Sequence, residues 1–237
     1  MWAVFKKEVK AYFETPFGFI YMGIFLLITG IVFTTYNLVG AKGDMNGTFS
    51  LLANISIMSF PVLTMKLLSE ERRQGTDRLL YTSRLSITSV ILGKYFAALF
   101  LYLITLMITG VYVGIIAMYG DPNIGAILGS YFGFFILGAT FTAICIFASS
   151  FTEHQVTAAI TSFGILFALV IIGSLSATVK IPVISEILSA LAITTYYEAF
   201  TKGIFSLGPI VYYISASVFF IFLAIQIVQG KRYGQGG

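Results

Sequence analysis

Charged side chains are scarce. Asp, Glu, Lys and Arg make up 10% of the 237 residues, where a soluble domain carries roughly 25%. A surface so poor in charge does not stay in water, which excludes a soluble globular enzyme and a disordered chain. The same composition excludes a nucleic-acid-binding domain despite the net charge of +4, so no nucleic acid partner is expected. A single cysteine excludes a disulfide framework and a cysteine-based metal site. One histidine and no acidic cluster leave no donor set for a metalloenzyme.

What is present is apolar surface. Hydrophobic types reach 58% and the mean hydropathy is +0.94. Six uncharged runs stand out: residues 17–41, 45–65, 95–120, 122–152, 155–179 and 203–230. Each exceeds the roughly 18–20 residues that cross about 30 Å of hydrocarbon at 1.5 Å per residue. A further run, Ile187 to Tyr197, is too short to span. Backbone in lipid must satisfy its own hydrogen bonds, and the runs are continuous, not alternating, so they predict helices and not a barrel. The expected fold is an all-α polytopic membrane protein with six transmembrane helices, forming one transmembrane domain over residues 1–237.

The basic residues orient it. With both termini in the cytosol, Lys6, Lys7, Lys10, Lys66, Arg72, Arg73, Arg78, Arg84, Lys94, Lys231 and Arg232 lie inside, and Lys42, Lys180 and Lys202 outside. This bias predicts an N-in, C-in arrangement. The first run leads into five others and lacks a small-residue cleavage site, so it reads as a span and not as a signal peptide.

The segments between the runs carry the rest. Residues 1–16 place Trp2, Phe5, Val9, Tyr12 and Phe13 at helical spacing, with Lys6, Lys7 and Lys10 elsewhere on the wheel. This predicts a helix lying on the inner membrane surface, broken by Pro16. It serves either as an anchor or as an elbow that docks a partner. Residues 67–93 are densest in charge: Glu70, Glu71, Arg72, Arg73, Asp77 and Arg78, with Gly75 as a hinge and Thr76 as a helix N-cap. A loop needed only for topology would carry basic residues alone. Mixed signs around a hinge suggest a docking surface. Glu153 and His154, on the same side, read as a hydrophilic turn or as a second cytosolic contact; an acid–base role for them lacks a further catalytic partner. Residues 180–208 predict two short external helices at the opposite interface.

No ionisable residue falls in the middle of a run, where ion-coupled carriers place theirs. No G-x-S-x-G or phosphate-binding loop occurs. The chain is therefore not expected to be an enzyme or to bind a cofactor, and any energy must come from another chain. Glycines Gly125, Gly129 and Gly133 in the fourth run, and Gly110 and Gly114 in the third, predict close helix packing, either within the chain or against a second subunit. Pro61 predicts a kink in the second run.

Three blocks then resemble a known family. They are KKE-x3-YF-x-TP-x-G (Lys6 to Gly18), LLSEERRQGTDRLL (Leu67 to Leu80) and GKYFAAL (Gly93 to Leu99). The chain resembles the permease subunit of type-2 ABC exporters, and within them the permeases associated with gliding motility and nitrous-oxide-reductase maturation. The resemblance implies a coupling helix between spans two and three, in which Glu70, Glu71, Arg72, Arg73, Gly75, Thr76, Asp77 and Arg78 meet a cytosolic ABC ATPase dimer that holds the ATP and magnesium. It further implies a second permease chain, joined through the first and fifth spans, with an extracytoplasmic accessory protein in some members, all in a bacterial inner membrane. The family's proline after the Thr-containing end of this segment is replaced by Tyr81-Thr82-Ser83-Arg84. The alternative is a membrane scaffold that recruits an ATPase and extracytoplasmic partners without transporting anything.

Overall fold

The structure, a computed structural model, describes residues 1–40, 45–73, 86–119, 123–176, 192–193, 196–197, 200 and 207–234. Among the described residues all regular structure is helical. Helix α1 (Trp2–Glu14) ends at Thr15, which is extended at φ −103° and ψ 152° because the following proline disfavours helical backbone there. Pro16 then opens α2 (Pro16–Phe33) at a position where its missing N–H costs nothing. The result is an elbow, and α2 runs into a π-helical turn at Thr34–Val39.

The second span is built from α3 (Asn46–Ile55), a 3-10 turn at Ser56–Met58 and α4 (Ser59–Arg73). The turn lies just before Pro61, whose ring cannot accept a regular α-helical neighbour four residues earlier. The proline thus distorts this span, as its position predicts. The third span joins α5 (Ile87–Ile108) to α6 (Gly110–Tyr119) through a break at Thr109. Ser86 caps α5 by accepting from the Ser89 N–H at 3.2 Å. Helices α7 (Ile124–Ser149), α8 (Gln155–Ser176) and α9 (Leu207–Gly234) complete the bundle. Asn123 caps α7 through the Ala126 N–H.

Among the described residues six helical stretches are long and apolar enough to cross a membrane. The third begins at Ile87, not at Tyr95 where the uncharged run starts, because Lys94 is built into the helix. Of the 67–93 segment, residues 67–73 extend α4 and 87–93 open α5. Gly75, Thr76, Asp77 and Arg78 lie outside the described residues, as do the expected external helices.

Helix α7 is the axis of the bundle. Its span is 78% buried, against 22% for those of α8 and α9, and it packs on α9, α4, α8, α5 and α3. Small residues allow this. A Cβ at Gly138 would meet the Tyr102 ring at 2.4 Å, and one at Gly133 would meet Phe200 at 2.6 Å. Around α7 the core is aromatic: Tyr102 sits edge-on to Phe25 and Phe60, and its hydroxyl donates to the Phe134 carbonyl at 2.9 Å. Buried threonines mostly turn back on their own helices, as Thr29 does to Phe25 O and Thr142 to Gly138 O. One bond that joins helices runs between Thr140 and Ser217, at 3.0 Å.

The glycines of the third and fourth spans differ. Among the described residues a Cβ at Gly110 or Gly114 would meet nothing within 4 Å. Both lie just past the break at Thr109. Gly125 meets only the Asn123 side chain, whereas Gly129 is buried.

Candidate coupling interface

Every charged residue among the described ones lies at one end of the bundle, where α1, the end of α4, the start of α5, the α7–α8 turn and the end of α9 converge. Helix α1 lies against α5 and the start of α2. Two glycines permit the approach. A Cβ at Gly93 would stand 2.9 Å from Val4 Cβ, and one at Gly18 would stand 2.4 Å from the Tyr12 carbonyl oxygen. Phe5 meets Phe100 edge-on, and the Tyr12 hydroxyl donates to Leu63 O of α4 at 3.2 Å. Burial, and then the Glu8 carboxylate, push the Tyr12 phenol well above its ordinary range. It therefore remains a protonated donor.

Lys94 ties these elements together. It is 1% exposed. Its ammonium donates to Glu8 of α1 at 2.9 Å and to Leu67 O of α4 at 2.6 Å. A lysine on α5 thus holds the surface helix and the end of the second span at once. A buried ammonium is tolerable only with such partners. Three segments separated by up to 86 positions meet at one charge. Neither Lys94 nor Glu8 emerges from the sequence as a site residue. The available signal was a lone lysine inside a helical apolar pattern, and a glutamate set between the lysines of α1.

The expected site residues fall around this knot. Glu70 is half-buried, one turn beyond Leu67, and Glu71, Arg72 and Arg73 form the last turn of α4. Lys6 stacks over the Trp2 ring at 5.3 Å, and Lys10 pairs with Glu14 at 3.3 Å. That exposed pair contributes little to stability. Lys7 borders a cleft between α1 and α4. Glu153 and His154 are exposed in the turn before α8, and His154 O accepts from the Ala158 N–H. The same turn is held by Lys231 of α9, whose ammonium donates to Ser150 O at 3.2 Å. A cation at the C-terminus of α7 suits the helix dipole. The two clusters flank the bundle axis at the same end.

The knot joins a surface helix to two membrane helices, and the mixed-charge stretch of the sequence runs on from the end of α4. Among the described residues no group of three His, Cys, Asp or Glu is placed to hold a metal.

No curated protein matches the chain. The family model described as ABC-2 family transporter protein matches residues 2–229. That match takes in the surface helix, the buried Lys94 knot and all six apolar helices, and so this chain belongs to the ABC-2 transporter family, as a multi-pass membrane permease subunit that works with an ABC ATPase and a lipid bilayer.

Proposed function

We propose that the chain is the permease of an ATP-driven exporter in a bacterial cell membrane, with both termini on the cytosolic side. The observation that carries this reading is the Glu8–Lys94–Leu67 knot, which makes α1 and the ends of α4 and α5 one mechanical body. The segment from Glu70 to Arg78 emerges from that body as the coupling element. ATP and magnesium bind to the partner ATPase dimer, and closure of the dimer rocks the body and the spans attached to it. Glu153 and His154 provide the second contact.

A second copy of the permease completes the path. Two stripes support this: Ile20, Ile24, Leu27 and Ile31 on α2, and Val156, Ile160, Phe163 and Phe167 on α8, all exposed. The polar side chains inside one copy are largely committed to their own helices, so a path between two copies is the more economical arrangement. The neutral spans favour an amphiphilic or apolar cargo over a small ion. Among type-2 permeases the resemblance points to the gliding-motility and nitrous-oxide-reductase-maturation branch.

The test is reconstitution with the cognate ATPase in proteoliposomes. Substituting Glu71→Ala with Arg72→Ala is expected to weaken ATPase association or to leave hydrolysis uncoupled from flux. Unchanged association and coupling would remove the coupling assignment. Stable association and hydrolysis with no flux of any cargo would favour the scaffold reading.

A further inference from the structure

A cleft of about 310 Å³ opens beside the knot, between α1, the first turn of α2 and the last turns of α4. Its floor is apolar, formed by Tyr12, Phe17 and Leu67. Its rim carries Lys7, Thr15, Lys66 and Glu70, with Glu8 and Lys94 behind. Among the described lining residues, three lysines against two glutamates give a formal charge of +1. The Glu8–Lys94 pair cancels internally, so the excess positive charge sits at the rim.

Lys66 is the informative residue. It is half-buried, its ammonium lies 4.5 Å over the Phe17 ring, and it makes no ion pair among the described residues. A cation held partly out of water beside an aromatic face is a recognition element for an anion. Its depth narrows the choice. Phe17 is the second residue of the first span, and Lys66 lies within the last turns of the second. This is the level of phospholipid headgroups, and basic pockets between membrane helices at that level suit anionic headgroups. The carboxylates of Glu8 and Glu70 and the Thr15 hydroxyl supply acceptors for a headgroup that also donates.

We infer that this cleft binds the phosphodiester headgroup of an anionic phospholipid bearing hydroxyl donors, such as phosphatidylglycerol, with Lys66 and Lys7 on the phosphate. The lipid lies in the angle between the elbow and the end of α4. Its binding stiffens the joint that carries the coupling segment. The inference needs only the membrane setting, not the export reading.

Native mass spectrometry of the full-length chain, with dioleoyl phosphatidylglycerol and phosphatidylcholine titrated in parallel, tests it. Wild type is expected to retain one phosphatidylglycerol in preference to phosphatidylcholine. Lys66→Gln is expected to weaken that retention about fivefold, in line with one lysine near a charged headgroup. Lys66→Arg keeps it, and Lys10→Gln, outside the cleft, leaves it unchanged. A thermal melt of each variant without lipid separates lost binding from lost folding; should Lys66→Gln fail to fold, Lys7→Gln is read in its place. Retention equal for both lipids, or undiminished in the folded glutamine variant, would overturn the inference. Equal stabilisation by glycerol 3-phosphate or inorganic phosphate alone would overturn the lipid as the source.

Discussion

Removing the Glu8 carboxylate should release the surface helix. The Lys94 and Glu8 side chains are 2% and 14% exposed, so the pair is largely out of water. Glu8→Ala leaves the ammonium buried, with the Leu67 carbonyl as its acceptor among the described groups. Breaking a buried pair on one side costs about 3–5 kcal/mol. Glu8 is partly wetted and one hydrogen bond survives, which places the expected cost near 3 kcal/mol, roughly a hundredfold in the equilibrium between docked and released α1. Lys94→Met loses the charge-assisted bond to Leu67 O and leaves the partly wetted Glu8 carboxylate without its ammonium, at a cost of about 2–3 kcal/mol. The double variant has no stranded cation and should cost no more than Lys94→Met alone. Hydrogen exchange of the α1 amides, followed by mass spectrometry on the purified chain, measures the opening directly. If the two single effects add within about 0.5 kcal/mol, the residues are not coupled, and the knot does not hold the elbow.

Gly18→Ala should lower the thermal midpoint, since its Cβ would meet the Tyr12 backbone oxygen at 2.4 Å; overpacking of this kind costs about 1–3 kcal/mol. Gly110→Ala and Gly114→Ala should leave the midpoint unchanged or raise it, by up to about 1 kcal/mol of helix propensity each. A loss of self-association at unchanged stability would assign those glycines to an interface between copies. Tyr12→Phe removes the hydrogen bond to Leu63 O and should cost about 1 kcal/mol in the same melt. The native Cys145 is buried, so introduced cysteines can be labelled in intact cells against a low background. A membrane-impermeant maleimide should label Lys180→Cys and spare Lys10→Cys; the reverse pattern would invert the proposed orientation.

The number of long apolar runs, their helical character and the gathering of most basic residues on one side were legible without coordinates. These follow from the solvent: lipid demands long uncharged helices, and each charge must stay near water, whatever the packing. The elbow was legible for a local reason, because Thr15-Pro16 cannot continue a helix. The distortion before Pro61 was legible on the same ground. The packing was not. Gly110 and Gly133 lie in similar small-residue spacings, yet among the described residues a Cβ on one meets nothing within 4 Å and a Cβ on the other meets Phe200; spacing alone does not say which face of a helix meets a neighbour. The coupling knot was least legible. Lys94 reads as one more basic residue on the inner side until α1, α4 and α5 close around it. A buried charge is defined by its partners, and Glu8 and Leu67 lie 86 and 27 positions away. Only the tertiary structure brings them within hydrogen-bond range and turns a basic residue on the inner side into a buried tie between three helices.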